Sequence, residues 1–212
     1  MSTELMYGAQ FAKSFVTEYL KLDIPLRLNR YRNGWNIDDI TLPNPAEYLT
    51  YEPLVLDNWP TIITVAISTR SFARSGYAYA EGMDPLYKVS YSMRTYVWVR
   101  TEGSKETTEM RDRLTTVVRS ALLDYPCLKR SDALREARIE ETTMVEEFSD
   151  LTLLKGDRVL AGAYIGYELS IDEAITRANI ADEVLEFGLS LGQNPLNSAI
   201  LNFDNSGSVS IS

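Results

Sequence analysis

The sequence predicts an α+β fold: a mainly antiparallel sheet of about four to five strands, packed by a central amphipathic helix and an N-terminal helix, with an extended C-terminal arm. Three observations predict it. The segments Tyr87–Thr101 and Val159–Ile171 alternate apolar and polar residues, as half-buried strands do. Between them, after Ser104, apolar residues recur three or four positions apart, which is typical of an amphipathic helix. After Gly188 the composition changes to serine, asparagine, glycine and isolated apolar residues.

The N-terminal quarter of the chain predicts a helix, a long connection and a strand. Apolar spacing predicts the helix over Glu4–Leu22, and we expect Pro25 to limit its end. Residues 23–57 contain four prolines and predict an irregular traverse, whose aromatic residues favour packing on the domain surface. The β-branched run Ile62–Ile67 predicts a buried central strand. Residues 68–85 then predict a functional loop or an extended hairpin arm.

The central helix has a predicted start and end. Ser104 is a suitable N-cap, and Pro126 stops the helix. Its apolar residues form one stripe that we expect to pack on the sheet: Met110, Leu114, Val117, Val118, Ala121 and Leu122. In Ala133–Glu147, arginine and glutamate alternate with small apolar residues, which predicts a strand at a sheet edge or an interface.

The C-terminal part predicts a second long strand and then a helix. The strand Val159–Ile171 carries two glycines on one face, which favour a close approach of another backbone or a bend. Asp172 is a suitable cap for a helix over residues 171–187. We therefore expect one α+β domain over residues 1–187. The arm over residues 188–212 is either flexible or adds a strand to the sheet of a neighbouring subunit.

Composition restricts the chemistry of this chain of 212 residues. Histidine is absent and Cys127 is the single cysteine, which excludes serine–histidine or cysteine–histidine catalysis, an internal disulfide and most zinc or copper sites. No nucleotide-binding glycine motif and no apolar stretch of membrane-spanning length occurs. The net charge of −9 opposes nucleic-acid binding. We expect no catalytic residue, no cofactor, no metal and no membrane partner.

Paired acids are the remaining candidates for chemistry. Neighbouring residues of a strand point to opposite faces, so neither Glu140-Glu141 nor Glu146-Glu147 is expected to converge on one ligand. A solvated acidic edge is the interpretation that we favour. The alternative is an enzyme with a carboxylate-only site, which would require Glu140, Glu146 and Glu168 to meet in one pocket.

The order of elements resembles that of the tail terminator proteins of long-tailed bacteriophages. Four stretches carry the likeness, which covers about Trp59 to Ile171 with the N-terminal helix plausibly included: Trp59-Pro60-Thr61-Ile62-Ile63, the tyrosine-rich strand from Tyr87 through Tyr96-Val97-Trp98-Val99, the helix from Arg111 to Leu128, and Leu160-Ala161-Gly162-Ala163-Tyr164.

The resemblance implies a ring, typically a homohexamer, in the tail–neck region of a virion assembled in the host cytoplasm. Such a ring is seated on the tail tube protein, halts tube polymerisation and presents a surface to the head connector or stopper protein. DNA passes through its lumen without specific binding, which suits an acidic chain. The family has no catalytic residues to carry over. Another head–tail connector or neck protein of similar fold is the alternative.

Subunit contacts are expected where aromatic or alternating charged residues face outward. The candidates lie on the predicted long strand, in the loop before it and on the predicted edge strand: Tyr77, Tyr79, Tyr96, Trp98, Arg135, Arg138 and Glu140. A competing expectation is that the traverse over residues 23–57 covers Tyr96 and Trp98.

Overall fold

The fold class is α+β, as the sequence predicts. The computed structural model describes residues 8–74, 86–124, 127–129, 136–153, 158–174, 202–203 and 209–210. The chain divides into two compact units, the first comprising Met1–Tyr77 and Leu86–Glu173, the second Ala78–Pro85 and Ala174–Ser212. Of the predicted arm over residues 188–212, the structure describes a two-stranded ladder, in which β8 (Asn202–Phe203) pairs with β9 (Val209–Ser210). The rest of the arm lies outside the described residues.

Seven strands form one mixed sheet: β1 (Glu47–Leu49), β2 (Thr61–Arg74), β3 (Leu86–Thr101), β4 (Cys127–Lys129), β5 (Glu136–Phe148), β6 (Thr152–Leu153) and β7 (Val159–Ala174). Their order across the sheet is β1-β2-β3-β7-β5-β4, and β6 pairs with β7. The pairs β2–β3 and β5–β7 are antiparallel, whereas β1 runs parallel to β2. Four long strands therefore carry the sheet and three short ones extend it.

Two helices, α1 (Ala9–Trp35) and α2 (Ser104–Asp124), pack on one face of the sheet around a single apolar core. All six residues of the predicted α2 stripe are buried, as are alternate residues of β3 and β7. These patterns were predicted from spacing alone and are confirmed. In the described part of the chain, neither helix is both long and apolar enough to cross a membrane.

Helix α1 continues well beyond its predicted end. It passes through Pro25 and ends at Trp35, where Asn36 adopts a left-handed backbone with φ 54°. The prediction that Pro25 limits the helix is wrong, and the first third of the predicted traverse is helical. Leu28 is fully buried one turn after Ile24, so the apolar stripe continues across the proline. Burial on the sheet offsets the cost of the missing backbone hydrogen bond.

Arg32 anchors the connection that follows α1. Its guanidinium is buried and donates to the backbone oxygen of Leu42 at 2.8 Å. The side-chain oxygens of Asn29 and Asn44 accept two further bonds, at 3.0 and 2.9 Å. Since a buried charge must be hydrogen-bonded, these bonds fix the start of the irregular segment against the helix. Apart from β1, residues 37–57 are irregular, as predicted.

Strands β2 and β7 are also longer than predicted. Strand β2 extends to Arg74, pairing with β3 as far as Tyr87, so residues 68–74 form the hairpin arm rather than a loop. Strand β7 continues to Ala174, so the predicted helix cap at Asp172 is wrong. The continuation is stabilised at Glu173, whose buried carboxylate accepts hydrogen bonds from the Tyr91 hydroxyl at 2.6 Å and from a backbone N–H. The predicted helix beyond residue 174 lies outside the described residues.

The charge alternation predicts β5 at a sheet edge or an interface, and the structure places β5 next to the short strand that ends the sheet. Strand β5 pairs with β7 along one side and with β4 on the other, where Cys127 opposes Arg138. The pairing with β4 covers Glu136–Arg138 only. The register of β5 against β7 shifts between Glu140 and Val145, which places both residues on the same face of the sheet.

One buried and one exposed leucine of α1 test the extension of this helix past Pro25. We expect Leu28→Ala, at a fully buried position, to lower the free energy of unfolding by about 2–5 kcal/mol. Leu26→Ala, at a position 66% exposed on the same helix, should change it by less than about 0.5 kcal/mol. Chemical denaturation of both variants measures the difference. Equal effects would contradict a helix that continues past the proline.

Candidate interaction surface

The face of the sheet turned away from α1 and α2, here called the outer face, carries an unusual concentration of aromatic side chains. Strand β3 supplies Tyr96 and Trp98, and β7 supplies Tyr164. All three are half-buried, whereas their neighbours along the strands are buried in the core. The strict alternation of strand side chains therefore separates a packed face from an aromatic one.

Trp98 rests directly on the backbone of β7 at Gly162. A Cβ atom placed on Gly162 would lie 2.6–2.9 Å from three carbons of the indole ring, closer than van der Waals contact allows. The sequence predicts either the close approach of another backbone or a bend at this glycine. The structure shows an aromatic ring there instead, and the glycine is required because any side chain would displace the ring.

Tyr96 and Trp98 divide two shallow concavities, together called the aromatic groove. The first has a volume of about 240 Å³ and continues across the outer face to Gly162 and Tyr164, with Glu147 and the end of β5 at Phe148 on its border. The second, of about 250 Å³, is walled by Glu52, Pro53, Leu56 and Ile63. The chain's own traverse thus borders the groove on one side. The competing expectation, that the traverse covers Tyr96 and Trp98, is therefore met in part. Among the described residues, the traverse does not line the half toward Gly162 and Tyr164.

A charged trough of about 210 Å³ adjoins the aromatic groove, with Arg70, Arg94, Glu147 and Glu168 in its walls. The Arg94 guanidinium lies 4.6 Å from the centre of the Tyr164 ring, a cation–π contact. Its hydrogen bond to the Tyr96 hydroxyl raises the pKa of Arg94. A hydrogen bond to Glu147 raises the pKa of Tyr164.

The acidic residues of β5 divide between the two faces, as predicted. Glu146 turns toward α2 and accepts a hydrogen bond from Arg119 at 2.8 Å, whereas Glu147 lies in the trough. Glu140 pairs directly with Glu168 on β7, on the outer face. The three acids that a carboxylate-only site would need therefore do not meet, because Glu146 lies on the opposite face.

Arginines accompany the two glutamates of the outer face. Glu140 lies 3.8 Å from Arg138, and Glu168 lies 3.9 Å from Arg70. Since like charges directly opposite each other destabilise a sheet, the arginines compensate this pair. Among the described residues, no group of three or more histidine, cysteine, aspartate or glutamate side chains is placed to hold a metal ion.

The structure describes four of the seven predicted contact residues. Tyr96 and Trp98 line the groove, and Arg138 and Glu140 pair with each other on β5. Tyr77, Tyr79 and Arg135 lie outside the described residues.

Residues 51–57, here called the apolar loop, are a feature that the sequence analysis missed. Leu54 is fully exposed, and Val55 and Tyr51 are 70% and 59% exposed. The signal in the sequence was the run Leu54-Val55-Leu56 enclosed between Glu52 and Asp57. A single exposed apolar residue needs no explanation, but three in one loop mark a contact surface.

The sequence matches no protein-family model. No curated protein matches it either. The function is therefore inferred from the arrangement of the outer face.

The contact between Trp98 and Gly162 gives a stability test. We expect Gly162→Ala to lower the free energy of unfolding by about 1–3 kcal/mol, because the added methyl group displaces the indole ring. Gly34→Ala is the matched control, since its Cβ would meet nothing within 4 Å and it lies in a helix. Urea denaturation measures both variants. In a Trp98→Ala background the cost of Gly162→Ala should shrink, and an unchanged cost would contradict the assigned contact.

Proposed function

We propose that this protein is a virion structural protein of the tail terminator kind. Copies of the chain form a ring, with six subunits as the expected number, that caps the tail tube and stops its polymerisation. The ring then joins the tail to the head connector or stopper protein. Its partners are further copies of the chain, the tail tube protein and the connector.

One observation carries the proposal: among the described residues, the helices pack on one face of the sheet, and the other face presents an aromatic groove beside an apolar loop. A surface of rigid aromatic rings next to exposed aliphatic side chains is typical of protein–protein contacts. The order of elements that resembles the terminator family is consistent with this use. Strand β3, one of the four stretches that carry the resemblance, supplies the groove's central residues.

Charge supports the same proposal from another direction. The chain carries a net charge of −9, so a ring of six copies surrounds its lumen with a strongly acidic protein. DNA that moves through such a channel encounters repulsion rather than a succession of binding sites. Contacts between copies must then rely on apolar surface and on local pairs of opposite charge.

Tube capping is the direct test. Added to polymerising tail tube protein of the same phage, the chain should bind tube ends and shorten the tubes, as seen by negative-stain microscopy. Light scattering at the same concentrations should give the mass of a closed ring. A protein that stays monomeric and leaves tube length unchanged would refute the proposal. Binding to the connector without any binding to tubes would instead support a different neck protein.

A further inference from the structure

Two strands of the sheet leave part of their backbone edge free. Strand β1 pairs with β2 at Thr61–Ile63, so within the described part of the chain residues 64–74 of β2 meet β3 on one side and no strand on the other. Strand β4 pairs with β5 at Glu136–Arg138, and among the same described residues the segment 139–148 of β5 meets β7 on one side only. These segments are here called the β2 edge and the β5 edge. The backbone N–H and C=O groups of such an edge can pair with a further strand.

The two edges belong to strands that run in opposite directions. Strand β2 is antiparallel to β3, and β5 is antiparallel to β7. Strands β3 and β7 are antiparallel as well, because Trp98, late in β3, lies at Gly162, early in β7, whereas Tyr91, earlier in β3, bonds to Glu173 at the end of β7. A second copy that keeps the same strand direction therefore brings its β5 edge antiparallel to the β2 edge of the first.

Charge is distributed unevenly across the sheet. Strands β2 and β3 together contain no acidic residue and five basic ones: Arg70, Arg74, Lys88, Arg94 and Arg100. Strands β5 and β7 together contain one basic residue, Arg138, and eight acidic ones: Glu136, Glu140, Glu141, Glu146, Glu147, Glu168, Asp172 and Glu173. One side of the sheet is therefore basic and the other acidic. Such a sheet attracts a second copy when unlike edges meet and repels it when like edges meet.

On the basic side, Arg70 is available to a partner. Its side chain is 61% exposed and lies 3.9 Å from Glu168, at the limit of ion-pair distance. An exposed pair of this kind contributes little free energy, so Arg70 can turn to a closer carboxylate at small cost. The register of β2 against β3 shifts between Thr69 and Ser71, which leaves Arg70 without a partner residue on β3.

On the acidic side, the carboxylates are only partly paired within one copy. Glu146 binds Arg119 of α2, and Glu147 shares the charged trough with Arg94. Glu141 is exposed and, among the described residues, forms no ion pair. It lies where the register of β5 against β7 shifts, so it has no partner residue on β7. The β5 edge thus presents a carboxylate that a cation of another molecule can reach.

We propose that the β2 edge of one copy pairs antiparallel with the β5 edge of a second copy of this chain, so that a basic strand lies beside an acidic one. The inference rests on the proposed function, since it names the contact between subunits of the ring. The two edges are different surfaces, as a head-to-tail contact that closes into a ring requires.

Charge reversal on the β2 edge is the first test. Arg70→Glu with Arg74→Glu makes both edges acidic, so self-association should weaken about tenfold or more in analytical ultracentrifugation. Lys21→Glu with Arg30→Glu is the matched control, because it changes the net charge equally at exposed positions of α1. The control should weaken association less than about threefold. Equal weakening by the two variants would contradict the inference, since net charge alone would then explain it.

Mixing two charge variants separates edge pairing from other contacts. Glu141→Lys with Glu147→Lys makes both edges basic, so this variant should also be monomeric alone. Mixed in equal amounts, the acidic-edged and basic-edged variants should assemble, because each acidic edge then meets a basic one, and native mass spectrometry should show equal numbers of both in each ring. If the change at Glu147 prevents folding, Glu141→Lys with Thr142→Lys serves instead, both positions being exposed. A mixture that remains monomeric would overturn the inference.

Hydrogen–deuterium exchange tests the backbone pairing itself. In the assembled wild type, the outward-pointing amides of both edges should exchange at least about tenfold more slowly than in the monomeric Arg70→Glu, Arg74→Glu variant, because new strand hydrogen bonds protect them. Amides of the irregular residues 37–41 are the reference and should not change. Rings whose two edges exchange as fast as the monomer's would refute edge pairing and leave the terminator proposal intact. Tubes that the wild-type ring does not cap would refute that proposal while leaving the subunit contact standing.

Discussion

The structure depends on the different environments of the two faces of β3. Along 16 residues, one face of this strand is buried under α1 and α2 and the other carries the rings of the outer face. A slip of one residue in its register would move every core side chain outward. Burial of Val89, Met93 and Val97 therefore fixes where Tyr96 and Trp98 point, and packing energy positions the contact surface.

The outer face owes its order to contacts between strands far apart in sequence. Trp98 rests on Gly162, and Arg94 stacks on Tyr164, so β3 and β7 hold each other's side chains. Beneath them on the inner face, the hydroxyls of Thr95 and Tyr167 lie 3.0 Å apart. Polar and aromatic contacts on both sides of the same strand pair make this part of the sheet rigid. Rigid surfaces lose less conformational entropy on association.

Buried arginines extend this order to the segments that border the groove. Arg32 holds the connection after α1 through Leu42, and thereby limits where the chain can enter the traverse. Arg111 of α2 donates to the backbone oxygen of Ser149 at 2.8 Å, and its guanidinium lies 5.1 Å from the centre of the Phe148 ring. Arg111 thus links α2 to the end of β5, where the Phe148 ring lies on the face of the sheet that packs against the helices.

The sequence by itself determined the fold class, helix α2 and the faces of β3 and β7, because periodic burial is written directly into residue spacing. Only the tertiary structure decided the rest. Local rules end α1 at Pro25, but the burial of Leu28 outweighs the proline's cost. Asp172 lies within β7 because Glu173 meets Tyr91, 82 residues away in the chain. The groove joins four strands to a loop, and contacts between such distant segments leave no local pattern in a sequence.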